Sequence, residues 1–353
     1  VESTFYKPTS KYFLLAVSAF LRGVHLHGDL LRVSIATSGN DHRLGGHEAP
    51  PGIMSVYLGS AIKDMVDRAI NGEDSSYRGE ESEIQDFGVP HLPKFRKQST
   101  DRNRTSPIAF CGNRFEFRAV GSSVNTAWST TMLNTITADS LNYMADLIEQ
   151  AKINGDSDPM KSVIQKVLHE HQAVIFEGDG YDPSWVEEAE RRGLLNITNT
   201  PDALGYLTSE KNEKLFRDTR VLSKEELYAR SSVFYNNFNL DLGVELKCIV
   251  DLCYQHVLPS AYRQLADIKS SNANVPEIVD CLNYNLESLL KALNVCKDLD
   301  NQLIHESDPI NRAYLFQTKV RPAMANLRKY ADTIEGKVDA RLWSLPSYNE
   351  MLN

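Results

Sequence analysis

Between residues 275 and 303 apolar side chains return every three or four positions: Val275, Val279, Leu282, Leu286, Leu289, Leu293, Cys296 and Leu303, with Asp300 as the break. A seam of that period is buried only when the segment is a helix lying against other helices. The reading extends over residues 223–340 as a bundle of long antiparallel helices, and helical pattern dominates from residue 123 onward. Asp158-Pro159 and Asp182-Pro183 are start signals, with Asp as cap and Pro at the first helical position.

The first third is less uniform. Phe13, Leu14, Val17, Phe20, Leu21 and Val24 fall at helical spacing within residues 9–28 and predict a buried helix. Leu30 to Ala36 reads as a short strand, residues 37–51 as a turn-rich stretch, residues 59–70 as helix and residues 71–100 as a long exposed loop. Ser106 to Phe110 and Arg114 to Ala119 resemble two strands joined around Cys111, Gly112 and Asn113. The expected class is therefore α+β: antiparallel strands with packed helices, then a helical bundle. The Pro- and Gly-bearing region 178–206 is the expected joint.

The formal net charge of -9 lacks the basic footprint of a nucleic-acid binder, so an anionic ligand must be held by local arginines. The five cysteines (Cys111, Cys248, Cys253, Cys281 and Cys296) are odd in number and form no CxxC, which points to reduced thiols in an intracellular compartment. No apolar run reaches the length of about 18 residues that suggests a membrane span. The chain opens on Val1, without a basic-then-apolar signal layout, and begins abruptly, as a fragment would.

Three clusters can carry chemistry. On a strand, Phe115 and Phe117 face one way while Arg114, Glu116 and Arg118 share the other face. That face is either a structural ion-pair ladder or a floor for phosphate and metal, with guanidinium forks for anionic oxygens and a hard carboxylate for Mg²⁺. Arg102 and Arg104, one short stretch upstream, are either solvent-facing or directed at the same place. Arg43, Gly45, Gly46, Glu48, Pro50 and Pro51 describe a loop that bends sharply and is then stiffened. It is either a plain surface turn or a flap that excludes water. The pairs His25/His27, His42/His47 and His169/His171 lack further ligands at convincing spacing, and a zinc site is rejected.

Taken together and in this order, the three clusters resemble the glutamine synthetase family. Asn40, Arg43, Leu44, Glu48, Ala49 and Pro50 are similar to its glutamate loop, Arg102-Asn103-Arg104 to its nucleotide arginines, and Arg114-Glu116-Arg118 to its metal and substrate strand. Residues 30–51, 110–123 and 175–207 resemble the type III form in particular. The resemblance implies part of a catalytic barrel over residues 1–177, a connecting region 178–222 and a helical extension 223–353. It implies ATP-dependent ligation of ammonia to glutamate through a γ-glutamyl phosphate, with ATP and Mg²⁺ (or Mn²⁺) as cofactors. Glu116 would bind the metal, Arg43 and Arg118 glutamate, and Arg104 and Arg114 the ATP phosphates, while Glu48 and Arg104 would be catalytic. Rings of six or twelve subunits and a cytoplasmic (or organellar) location are further implications. The family's N-terminal β-rich domain and several metal-binding glutamates find no match here, so the chain alone is expected not to make glutamine. The alternatives are a non-catalytic helical partner of full-length subunits and a related ligase joining glutamate to an organic amine.

Overall fold

In the computed structural model, residues 8, 10, 12–46, 49–77, 84–85, 88–89, 91–93, 95–96, 106–112, 114–122, 124–346 and 348–351 are described. The chain forms two compact units, Val1–Ser231 and Ser232–Asn353.

The first unit is organised around α1 (Phe13–Leu26), whose Phe13, Leu14, Val17, Leu21 and Val24 are all buried. A helix that is apolar on more than one side must be covered on more than one side. Two helices cover it: α5 (Ala127–Ile153) and α6 (Pro159–His171). Gly23 sets the distance of α1 from α5, because a Cβ there would stand 2.9 Å from the Ile136 carbonyl oxygen. Each Val or Leu buried at this junction contributes about 1.5–3 kcal/mol.

A kink at His27 leads into α2 (Gly28–Val33) and then α3 (Ser38–Asp41), a single turn capped by the Thr37 side chain. The strand expected over residues 30–36 is thus a helix followed by a turn. Leu30, Leu31, Val33 and Ile35 are buried, but so are Arg32 and Ser34, so the segment is enclosed on every side. Burial all round erases the period that separates strand from helix, and two adjacent leucines favour the helix.

The sheet has three strands in the order β1 (Val56–Tyr57), β4 (Ile108–Phe110), β5 (Phe115–Phe117), with α4 (Ser60–Ile70) after β1. β4 and β5 form the expected antiparallel hairpin, registering Ile108 with Phe117, Ala109 with Glu116 and Phe110 with Phe115. The turn uses Gly112 at φ +79°, a left-handed conformation that suits glycine. β1, in contrast to the all-antiparallel expectation, runs parallel to β4. The two are separated by some fifty residues, ample for a parallel crossover. A second pair, β2 (Ile84–Gln85) with β3 (Phe95–Arg96), is antiparallel and falls in the stretch read as loop.

Residues 178–222 pack within this same unit. α7 (Ser184–Arg191) places Trp185 against Phe176 with ring centroids 3.6 Å apart, and α8 (Thr200–Leu207) lies on α2. α9 (Glu210–Asp218) follows, with Asn212 buried and its amide donating to Asp29. Asp158 is the N-cap of α6 and accepts from the Lys161 amide, as expected. At the second Asp–Pro pair Pro183 itself takes the cap position of α7, and Asp182, one residue earlier, accepts from the Ser184 amide.

The second unit takes most of α10 (Lys224–Leu252), then α11 (Leu258–Ser271), α12 (Pro276–His305), α13 (Pro309–Leu315) and α14 (Arg321–Glu335), with a short α15 (Tyr348–Met351) at the end. The seam is buried from Leu282 through Cys296 to Leu303, with Leu299 taking the place that Asp300 leaves, and α12 packs on α14 and α11. Two wide π-helical turns, Cys253–Val257 and Phe316–Val320, each stand two residues before a proline, Pro259 and Pro322. Proline lacks an N–H and its ring collides with the carbonyl four residues back, and a wider turn relieves that clash without breaking the helix. Among the described residues no single helix is long and apolar enough to cross a membrane.

Candidate active site

The alternation on β5 has the expected consequence. Phe115 turns inward, stacked on Phe20 at 4.2 Å and edge-on to Phe110 at 5.3 Å. Glu116 points the other way, between its two arginines. One carboxylate oxygen accepts from Arg114 Nε and Nη2 (3.2 and 2.9 Å), the other from Arg118 Nε and Nη2 (3.3 and 3.2 Å). These bonds hold the Glu116 carboxyl below its ordinary pKa, Arg114 first and Arg118 next, so it is an anion at neutral pH. The exposures grade along the strand, from 65% for the Arg114 side chain through 34% for Glu116 to 21% for Arg118. Arg118 is the better anchored of the two: it also donates to Cys111 Sγ at 3.4 Å. Burial raises the Cys111 thiol above its usual range, with Glu116 adding to the effect.

The loop carrying Arg43 begins at a residue tied to this strand. The Asn40 side chain donates to two carbonyls, Ile35 at 2.9 Å and Ala119 at 3.1 Å, and Ala119 is the residue after Arg118. The amides of Arg43 and Leu44 both return to the Asn40 carbonyl, and the Gly45 amide closes on Pro50. Three residues of chain reach at most about 10 Å, so the backbone of Arg43 stays within that distance of Asn40, beside the end of β5. The Arg43 side chain is exposed. Glu48 and Arg104 lie outside the described residues.

Metal fit can be judged from Glu116. A carboxylate offers about four lone-pair directions, so two arginines do not exhaust it. One carboxylate is nonetheless one ligand, and Mg²⁺ wants an octahedral set of oxygens. Among the described residues no group of three or more His, Cys, Asp or Glu side chains gathers to complete it. Glu116 fits a metal as a single ligand.

Asp41 received no role from the sequence, yet its carboxylate is buried and accepts three hydrogen bonds. Its Oδ1 pairs with Arg32 Nη2 at 2.9 Å, with the side chains 1% and 2% exposed. Thr200, at the start of α8, donates its amide to Asp41 Oδ2 (2.7 Å) and its hydroxyl to Oδ1 (2.8 Å). No sequence signal joins positions 41 and 200. The histidines also come together unexpectedly: His25 Nδ1 and His171 Nδ1 are 2.8 Å apart, so one carries the shared proton and the other is bare. Burial, then His25, then Arg22 push the His171 pKa down to about 4, and burial lowers that of His25. An unfolded histidine titrates near 6.5 and binds the proton that the folded pair refuses. Stability is therefore fully present above pH ~6.5 and is lost as pH falls toward 4, on the order of 2–3 kcal/mol. His171→Gln should flatten that slope when urea midpoints are measured at pH 7 and pH 4.5; an unaltered slope would exclude the pair as its source.

A family model described as glutamine synthetase C-terminal domain matches residues 159–275. The chain is 37% identical, over 96% of its length, to a protein named type-3 glutamine synthetase from Dictyostelium discoideum, of which it covers 48%. It is 30% identical over 96% to a glutamine synthetase from Bacteroides fragilis (strain YCH46), covering 49% of it. A third relative, the glutamine synthetase of Butyrivibrio fibrisolvens, is 29% identical over 96%, with 50% of it covered. An α+β chain with an Arg-Glu-Arg strand face beside a tethered arginine loop, carrying this similarity, belongs to the glutamine synthetase family. Within that family it goes with the type III form. The chain spans about half the length of the curated relatives it matches.

Proposed function

We propose that these residues form the C-terminal half of the active site of an ATP-dependent ligase that joins ammonia to glutamate. The observation that carries the reading is the tether of the Arg43 loop, through Asn40, to the end of the strand that bears Glu116 and Arg118. In this reading residues 1–177 are the later half of a catalytic barrel, 178–222 connect, and 223–353 form an antiparallel helical extension. Self-association into rings and a cytoplasmic setting belong to the same proposal.

A carboxylate is a poor acyl donor until one of its oxygens becomes a good leaving group. The γ-carboxylate oxygen of glutamate attacks the γ-phosphorus of ATP, the bond to ADP breaks, and an acyl phosphate results. Ammonia then attacks the carbonyl carbon, phosphate leaves with the bonding pair, and the surplus proton passes to Glu48. Arg118 and Arg43 hold glutamate and its phosphorylated side chain, and their forks match carboxylate and phosphate oxygens. Arg104 and Arg114 lie against the phosphates, where charge stabilisation is the main catalytic demand. Mg²⁺ or Mn²⁺ held in part by Glu116 supplies further neutralisation of phosphate charge. The loop 42–51, closed over the acyl phosphate, keeps out water.

The test is ATP turnover by the natural polypeptide that carries these residues, with glutamate present and ammonia or an organic amine as acceptor. Phosphate release that requires both glutamate and ammonia supports the ligase. Release with an organic amine and not with ammonia would shift the assignment to the related amine ligase, and no turnover would favour the helical partner.

A further inference from the structure

The segment that carries Arg43 leaves the fold from two consecutive residues pinned in different directions. Asn40 is bonded to the strand side through Ala119, and Asp41 is bonded to α2 through Arg32 and to α8 through Thr200. Only the first pin involves the sheet. The second reaches across 159 positions of sequence to a segment that has no part in the strand face. Arg32 makes the link firm: its Nε donates to the Ile197 carbonyl at 2.7 Å, so the same guanidinium grips both the loop and the approach to α8. Arg32 Nη1 is buried without a partner, which leaves Asp41 as the sole carboxylate bonded to this guanidinium among the described residues.

We infer that Thr200, through Asp41, is a positioning residue for Arg43. The inference rests on the ligase reading for what Arg43 does, and on the bonds alone for how it is held. Asp41 stands two residues before Arg43, and the Arg43 and Leu44 amides hang from the carbonyl of Asn40, the first of the two pinned residues. A carboxylate that accepts two bonds from Thr200 and one from Arg32 has little freedom to rotate, and neither has the turn that bears it. Any shift of α8 along its axis is passed to the loop through the two bonds from Thr200. The segment around Thr200 thereby sets the direction from which the loop presents its guanidinium.

Thr200→Val keeps the side-chain shape and the backbone amide but deletes the hydroxyl, and Thr200→Ser restores it. The measurement is amide hydrogen exchange by mass spectrometry on the full 353-residue chain. In Thr200→Val, peptides covering residues 42–52 should exchange on the order of tenfold faster, as expected for one lost bond to a charged group. Peptides from α1 and α5 should keep the wild-type rate, and Thr200→Ser should bring the loop back to it. Unchanged exchange in the loop would overturn the inference, and so would equal acceleration in α1 and α5 or a failure of serine to rescue. No arm needs turnover or bound glutamate, so a failed ligase reading and a failed clasp give different results.

Discussion

Asp41→Ala should destabilise the first unit by about 3–5 kcal/mol, the range for removing one partner of a buried ion pair. The side chains of Arg32 and Asp41 are 1% and 2% exposed, so the guanidinium left behind has no route to water. Its Nη1 is already unpartnered, and the substitution would strand Nη2 as well. The Thr200 amide and hydroxyl lose their acceptor at the same time. Asp41→Asn keeps an acceptor oxygen and removes the charge, so its loss should be smaller. Replacing Arg32 by Met in the Asp41→Ala background should recover part of the stability, since two missing charges cost less than one left alone. Urea unfolding followed by tryptophan fluorescence reads all three. A loss under 1 kcal/mol for Asp41→Ala would mean that water reaches Arg32.

Arg118→Ala should lower ammonia-dependent ATP turnover on the order of 10²–10³-fold, the usual effect of deleting one charge-stabilising donor in a closed site. Arg118 is chosen over Arg114 because it is the more enclosed of the two and has a second anchor in Cys111. Arg118→Lys keeps the charge and loses the planar fork, so most of the defect should persist. Steady-state kinetics with glutamate as the varied substrate distinguishes a binding role from a structural one. A full-rate Arg118→Ala enzyme would remove this strand from the chemistry.

The hairpin was legible because strand alternation and a glycine turn are local signals: Phe115 in, Glu116 out and Gly112 at the bend. The α12 seam was legible for the same reason, since Leu282, Leu289 and Leu293 repeat within a few turns of one helix. Residues 30–36 were misread where locality fails. Arg32 interrupts the apolar run and would normally mark a solvent face, but here it is buried because Asp41 and the Ile197 carbonyl neutralise it from elsewhere. The same holds for the site. The Arg114–Glu116–Arg118 face could be written down from five residues, whereas the pins on Asn40 and Asp41 depend on Ala119 and Thr200, which no spacing rule connects to them. The two wide turns before Pro259 and Pro322 lie between these cases: a proline inside a helical pattern announces a defect, but packing decides whether the helix ends or widens.

The most direct measurement is a crystal structure of the natural polypeptide with glutamate and MgADP bound. Glutamate should lie with its carboxylate oxygens about 2.7–3.0 Å from guanidinium nitrogens of both Arg43 and Arg118, and the metal should have Glu116 among its ligands. Glutamate seated away from that strand face, or Arg43 turned out to solvent with the ligand in place, would contradict the assignment.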